Sequence, residues 1–240
     1  MSNYAIITAG GSGKRLPGFR KKQFLRLGGV PVFLWPVMRF LRHPSVGHVV
    51  LVLPKDDYGL GRDILEEELL HHDPAFADRL WFTMGGDTRQ ESVFNGLQTC
   101  PDTAELVLVH DGVRPFVHDE DIDRLLEAAG EVGAAIPVHP VKHTVKQTAD
   151  GRVVRTLDRR DLVEVSTPQV FRRDLLLACH EEARRTGLVC TDDAGLLEQG
   201  GHTVAAVPVT FPNLKITERF DLIVAEHLLQ TSGETFSQRS

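Results

Sequence analysis

Cysteine is scarce in this 240-residue chain. Cys100, Cys179 and Cys190 are odd in number and widely spaced, and no CxxC pair exists. That excludes a disulfide framework and a thiolate zinc site, and it leaves free thiols in a reducing compartment. Long apolar runs are missing as well: none approaches the ~18 residues that span a bilayer. Met1-Ser2-Asn3 leads straight into a strand-like segment without a signal-peptide pattern, so a cytoplasmic protein without a membrane partner is expected. Broad basic character is also lacking. A net charge of −6 argues against a nucleic-acid coat or a membrane-surface protein, whose partners require an extended basic face. No internal repeat or low-complexity linker divides the chain. With 42% hydrophobic residues it can fill one full core, so residues 1–230 are expected as a single domain and 231–240 as a frayed polar tail.

Against this acidic background, one stretch carries the opposite sign. TAGGSGKRLPGFRKKQF, Thr8 to Phe24, follows an apolar run and contains Gly10, Gly11 and Gly13. Lys14, Arg15, Arg20, Lys21, Lys22 and Arg26 then follow with no acid among them. Glycines let backbone N–H groups approach an anion, and the cations neutralise it, so the stretch is expected to cradle a polyphosphate. Two common loop types do not fit. A Walker A loop needs Ser or Thr after Gly-Lys, and Arg15 stands there. A dinucleotide fingerprint needs a third glycine where Leu16 stands, which also counts against a nicotinamide-dependent dehydrogenase. Pro17-Gly18 interrupts any helix starting directly after the loop, so an extended flap is expected.

Hydrophobic patterning alternates between strand and helix. Strands are expected over 4–7, 48–53, 80–84, 106–110, 134–138 and 202–208, and helices over 31–41, 57–70, 88–98, 119–129, 172–186, 192–199 and 218–230. Asp87 and Asp119 are the expected caps of their helices. Continuous Val/Leu strands between amphipathic helices predict an α/β fold with a mostly parallel central sheet covered on both faces. The rhythm breaks over 139–160, where Asp150-Gly151 sits between β-formers and signals a hairpin. A protruding β-hairpin arm exposes edges and apolar side chains, so it is expected to pack on a second subunit. A hairpin folded back on its own domain is the alternative.

Several motifs fall where open α/β sheets bind ligands, beyond the carboxyl ends of the strands. HDGVRPF, from His110 to Phe116, offers Asp111 for a magnesium ion or a substrate hydroxyl and Arg114 for a phosphate. An Asp–Arg pair bracing a turn is the structural alternative. GGDTRQESV, from Gly85 to Val93, places Gly86, Asp87 and Ser92 where they could read a base edge, while Arg89 and Glu91 read as a solvated pair. TLDRR, STPQVF and PNLKIT complete the set. Lys215 in PNLKIT is either functional or a snorkelling surface lysine. His139 and His143, four apart, have no carboxylate or thiolate at ligand spacing and do not suggest a metal site.

Taken together, the fragments AGGSGKRL, KKQF, GGDTRQESV, HDGVRPF, PVKHTVK, TLDR, TPQVF, TDDAG and PNLKIT, in this order over almost the whole chain, resemble the 2-C-methyl-D-erythritol 4-phosphate cytidylyltransferases. The resemblance implies a three-layer Rossmann-like nucleotidyltransferase fold and a homodimer built through the β-arm. It also implies transfer of CMP from CTP to methylerythritol phosphate with magnesium, releasing pyrophosphate. Carried onto this sequence, it assigns CTP binding to Thr8, Ala9, Gly10, Gly11, Ser12, Gly13, Lys14, Gly86, Asp87, Ser92 and Gly112. Arg15 and Lys22 match the residues that stabilise the transition state. Arg159 and Lys215 orient the attacking phosphate. Asp111, Arg114, Thr144, Thr167 and Thr191 contact the alcohol phosphate, with Asp111 the candidate metal ligand. Thr144 and Arg159 lie in the arm and would serve the neighbouring subunit.

The chemistry explains these residue types. The nucleophile is already an anionic phosphate oxygen, so cations are needed rather than a strong base, and the motifs contain no His–carboxylate pair. The sequence departs from the family pattern at Lys21, in place of a proline, and at His143, in place of an acid. Thr8 and Gly10 replace proline and alanine where the contacts are through the backbone. A ribitol 5-phosphate cytidylyltransferase shares the GG-rich, KQF and RPF motifs and is the nearest rival. A catalytically silent nucleotide-binding dimer is a second, opposed by the intact Arg15, Lys22, Asp111 and Lys215.

Overall fold

The computed structural model describes residues 2–9, 24–210 and 213–232. Its centre is an eight-stranded sheet. Strands β1 (Ser2–Thr8), β4 (Val46–Leu53), β5 (Leu80–Met84) and β6 (Ala104–Asp111) run parallel, with β1 between β4 and β6. Strands β2 (Arg26–Leu27) and β3 (Val30–Pro31) form a small separate ribbon. Beyond β6 lies β11 (Gln169–Arg172), antiparallel to both β6 and β7 (Ala134–Pro140). Strand β10 (Val163–Val165) pairs antiparallel with the carboxyl end of β7, and β12 (Ala205–Pro208) pairs parallel with it. The peptide bond between Thr167 and Pro168, separating β10 from β11, is cis.

Alternating side chains feed two cores, as the period-2 geometry of a strand requires. Ala5 and Ile7 face a cluster with α1 (Leu34–Arg42) and α4 (Asp119–Val132), including Phe40 and Leu125. Tyr4 and Ile6 face the opposite cluster, with Val93 of α3 (Arg89–Thr99), Leu176 of α5 (Arg173–Thr186) and Leu197 of α6 (Asp193–Gln199). Ile6, Ile7 and Leu51 are completely buried, each contributing roughly 1.5–3 kcal/mol of apolar transfer. This is the expected three-layer α/β arrangement. Helix α7 (Arg219–Ser232) closes a third cluster around Trp35, Val113 and Ile216.

Local chemistry shifts several expected boundaries. The helix expected from residue 31 begins at Leu34, because Gly28 and Gly29 take φ of 58° and 82° and turn the chain into the β2–β3 ribbon. Thr88, not Asp87, caps α3: its side chain accepts from Glu91 N–H while the Glu91 carboxylate reaches back, a reciprocal capping box. His118 occupies the N-cap position of α4, and Asp119 lies inside its first turn, where an acid complements the helix dipole. The segment expected as one helix over 57–70 is a 3₁₀ turn, then α2 (Tyr58–Leu65), then a π-helical turn over Glu66–Leu70. Strand β11 was expected only as part of a motif, and the last strand is shorter than the expected 202–208.

The arm is present as β8 (Lys146–Ala149) and β9 (Arg152–Thr156). Asp150 and Gly151 both take positive φ, 48° and 73°, as a type I′ hairpin turn demands. Every residue of both strands is exposed, including Val153 and Val154 at 63% and 59%. The hairpin therefore does not fold back on its own domain.

Candidate active site

Asp111 ends β6 and is the anion around which the site is built. Its carboxylate is 9% exposed and takes three cations. Arg89 Nε lies 3.2 Å from Oδ1, Arg114 Nε 3.1 Å from Oδ2 and Lys215 Nζ 2.9 Å from Oδ2. Burial pushes the Asp111 carboxyl upward, but the Arg89, Lys215 and Arg114 charges outweigh it and hold it well below the usual carboxylate range. Lys215 is thus no snorkelling surface lysine. The Asp111–Arg114 brace weighed from the sequence does exist, as one edge of this larger cage.

A hidden network sets the cage's geometry. His110 is completely buried, and its Nε2 lies 3.0 Å from the Arg114 carbonyl, which can only accept, so Nε2 carries the proton. Nδ1 is then free to accept from the Thr167 hydroxyl at 3.0 Å, and that hydroxyl accepts from Asp111 N–H at 3.2 Å. Burial lowers the His110 pKa to about 4, so the ring is neutral at pH 7, as this arrangement needs. Thr167, only 6% exposed, spends its hydroxyl proton inside the protein. The PNLKIT loop is tied to the same place. Arg114 Nη1 donates to the Asn213 carbonyl at 2.7 Å, Ile216 N–H to Val113 O at 2.9 Å and Asn213 Nδ2 to Thr167 O at 2.8 Å.

Arg89 is a site residue that the sequence reading missed. Instead of pairing with Glu91 in solvent, it spans Asp111 and Asp193, with Nη1 2.7 Å from Asp193 Oδ2. The two carboxylates raise its pKa further despite burial, and it is a permanent cation. Asp193 also lies 3.3 Å from His180 Nε2, a His–carboxylate pair absent from the motif reading. Both side chains are 1% exposed, behind Arg89, and supply no accessible base. No local signal betrays Arg89, because its partners are 22 and 104 residues away.

The expected nucleotide wall adjoins this cage. Gly112 N–H donates to Thr8 O at 2.9 Å and Ala9 N–H to Val52 O at 2.9 Å, joining the ends of β1, β4 and β6. A Cβ on Gly112 would lie 3.1 Å from the Thr8 carbonyl oxygen, and one on Gly86 would lie 2.3 Å from Glu91 Cβ. Both positions therefore exploit close backbone approach. Ser92 is 2% exposed; its hydroxyl donates to Thr88 O at 2.9 Å and accepts from Gly86 N–H at 3.1 Å, bracing the loop. Asp87 is exposed and pairs with Lys55 at 3.3 Å.

Thr8, Ala9, Asp111, Gly112, Arg114, Thr167 and Lys215 thus share one rim, and Thr191 lies two residues before Asp193, the partner of Arg89. Thr144 and Arg159 stand apart in the exposed arm, where Arg159 donates to the Lys142 carbonyl. Gly10, Gly11, Ser12, Gly13, Lys14, Arg15 and Lys22, with the departure at Lys21, lie outside the described residues. Among the described residues, no group of three or more His, Cys, Asp or Glu could hold a metal. Asp111 offers a single carboxylate with both oxygens already engaged, which suits a metal held chiefly by a nucleotide's phosphates.

Comparison with known proteins finds relatives along almost the whole chain. The family model described as 2-C-methyl-D-erythritol 4-phosphate cytidylyltransferase matches residues 3–231. A relative of that name from Bacillus licheniformis is 38% identical over 230 residues, covering 96% of each chain. Another from Carboxydothermus hydrogenoformans is 40% identical over 227 residues, covering 93% of each. A crystal structure of the 4-diphosphocytidyl-2C-methyl-D-erythritol synthase from Anaerococcus prevotii superposes with a TM-score of 0.82 at 32% identity, covering 95% of this chain and 98% of that one. The 2-C-methyl-D-erythritol 4-phosphate cytidylyltransferase of Thermus thermophilus gives 0.76 at 34% identity, covering 96% and 100%.

Proposed function

The chain belongs to the 2-C-methyl-D-erythritol 4-phosphate cytidylyltransferase family, and from that premise we propose how its residues divide the work. The enzyme is a nucleotidyltransferase of isoprenoid precursor biosynthesis: it transfers CMP from CTP to 2-C-methyl-D-erythritol 4-phosphate. A phosphate oxygen of the alcohol phosphate bonds to the α-phosphorus of CTP, the bond from that phosphorus to the β-phosphate bridge breaks, and pyrophosphate leaves. The nucleophile carries its own negative charge, so no side chain needs to remove a proton.

The observation that carries the assignment of roles is the Asp111 cage. Two carboxylates, Asp111 and Asp193, face three cations, Arg89, Arg114 and Lys215, so the cage keeps a positive excess toward an incoming anion. Lys215 and Arg114 are oriented by Asp111 and meet the alcohol phosphate. Thr191 adds a hydroxyl, and Thr167 acts through Asp111. Arg15 and Lys22 stabilise the transition state at the reacting phosphorus, while Lys14 and the segment from Gly10 to Gly13 bind the triphosphate. Cations aimed at that centre are each worth roughly 10²–10³ in rate. Thr8, Ala9, Gly86, Asp87, Ser92 and Gly112 form the cytidine wall.

Three further roles complete the reading. The exposed valines of the arm support a homodimer in which Thr144 and Arg159 reach the partner's site. Magnesium would accompany CTP and neutralise phosphate charge when bound, with Asp111 the candidate protein ligand. No described helix is long and apolar enough to cross a membrane, and a cytoplasmic location fits the three free cysteines. Pyrophosphate release with CTP, magnesium and either methylerythritol phosphate or ribitol 5-phosphate tests the assignment. Faster turnover of ribitol phosphate would overturn it.

A further inference from the structure

Thr191 lies on an exposed loop, and its hydroxyl engages no described residue, yet the backbone around it is held from three directions. Gln90, in the first turn of α3, clasps the approaching chain with both ends of its amide. Its Nε2 donates to the Leu188 carbonyl at 3.1 Å, and its Oε1 accepts from Cys190 N–H at 3.2 Å. Gln169 of β11, 1% exposed, makes the same double contact on the departing side. Its Nε2 donates to Asp192 Oδ2 at 2.7 Å, and its Oε1 accepts from Ala194 N–H at 3.2 Å. Arg89 holds Asp193.

We propose that Gln90 is a positioning residue for the alcohol phosphate: it fixes the 188–190 backbone so that the Thr191 hydroxyl presents to the substrate at a set distance from Asp111. The inference rests on the reading of Thr191 as a contact to the alcohol phosphate. A side-chain amide suits this role because it supplies a donor and an acceptor in one plane, matching one carbonyl and one N–H of the neighbouring loop. Val189, between the two clasped residues, is 80% exposed, so beyond half-buried Leu188, whose N–H donates to Ala183 O at 3.0 Å, the amide is what holds this stretch to α3. Gln90 immediately follows Arg89. One helical turn therefore aligns the Thr191 loop with the Asp111 cage, and CTP binding does not depend on it.

Kinetics of the full-length enzyme separate this from a general structural role. Gln90→Ala should raise KM for methylerythritol phosphate roughly 10- to 100-fold, the scale set by slight misplacement of a contact. KM for CTP should change less than about twofold, with the thermal midpoint held within a few degrees. Gln90→Glu keeps an acceptor for Cys190 N–H but turns a carboxylate oxygen toward the Leu188 carbonyl, so it should not restore the KM lost in Gln90→Ala. Thr191→Val should raise the same KM, and adding Gln90→Ala to it should cost little more, because the two act in series. An unchanged KM in Thr191→Val would overturn the underlying site reading and the inference together. If Thr191→Val weakens substrate and Gln90→Ala does not, or weakens both substrates equally, the positioning role alone is wrong.

Discussion

The Asp111 cage and the β8–β9 arm are opposite ways of building half a site. In the cage, a nearly buried carboxylate is matched by three cations, and a buried imidazole fixes the loops that carry them. Each member is held by residues far away in sequence. In the arm, all nine strand residues are exposed, and the local order comes from one two-residue turn and cross-strand contacts such as Lys146 to Thr156 and Arg155 to Gln147. The cage is tied together by contacts within one chain. The arm is locally specified and leaves its apolar side chains exposed, which is why we propose that a second subunit covers them.

The largest effect should come from the anion at the cage's centre. Asp111→Asn keeps the shape but leaves Lys215 and Arg114 without their orienting charge. We expect a loss of roughly 10³ or more in kcat/KM, since a misaimed cation forfeits its stabilisation and adds repulsion. Steady-state pyrophosphate release measures it. Retention of more than a tenth of the activity would mean that the cage is scaffolding, and the contrast with the arm would collapse.

Acid should damage the cage before the arm. The His110 pKa is lowered to about 4 in the fold, against about 6.5 in an unfolded chain. Between those values the unfolded chain binds the extra proton and the folded one does not, so stability falls as pH drops from about 6.5 to 4. The integrated loss is on the order of 3 kcal/mol. Asp111, held low, adds its own loss only below the ordinary carboxylate range near 4. Urea unfolding across this window should show the slope, and His110→Asn should flatten it. An unchanged slope in that variant would show that the ring is not the group responsible.

The comparison is sharpest where the two regions are proposed to meet. Lys215→Ala in the cage and Arg159→Ala in the arm should each cost roughly 10²-fold in rate. Mixed and re-equilibrated, the two inactive proteins should recover about a quarter of the parent activity, because half the dimers pair one lesion with the other and leave one of two sites intact. No recovery would place Arg159 and Lys215 in the same chain's site, or leave Arg159 outside it.

Legibility in the sequence follows the same division. The central strands announce themselves because burial on both faces requires continuous Val/Leu runs, and Asp150-Gly151 announces the arm because few residues tolerate positive φ. Asp111 and Arg114 were legible at the carboxyl end of a buried strand, and Lys215 as an isolated cation in the loop before the last helix. Their mutual contacts were not, since Lys215 lies 104 residues beyond Asp111 in the chain. Arg89 read as solvated because a charged residue in a first helical turn usually is, and only Asp111 and Asp193 from other elements decide otherwise. Strand β11 escaped for a related reason. Four residues after a proline carry too little pattern, and their antiparallel direction is set by β6 and β7 on either side. Local chemistry is written locally, and the cage is a product of topology.

The smallest effect within one subunit should come from the arm's valines. Val154→Ser removes an apolar side chain that is 59% exposed, so it should change the stability of the isolated fold by within about 0.5 kcal/mol. Val109→Ser, at a completely buried position of β6, should cost several times more, because it loses apolar burial and desolvates a hydroxyl. The same chemical change should act in reverse on assembly. Val154→Ser should shift the monomer–dimer balance, measured by sedimentation at falling concentration, and lower activity in proportion to the dimer lost, while Val109→Ser should leave the dimer constant alone in whatever fraction stays folded. A Val154→Ser protein with unaltered assembly would show that the arm's apolar face is not the surface that the second subunit covers.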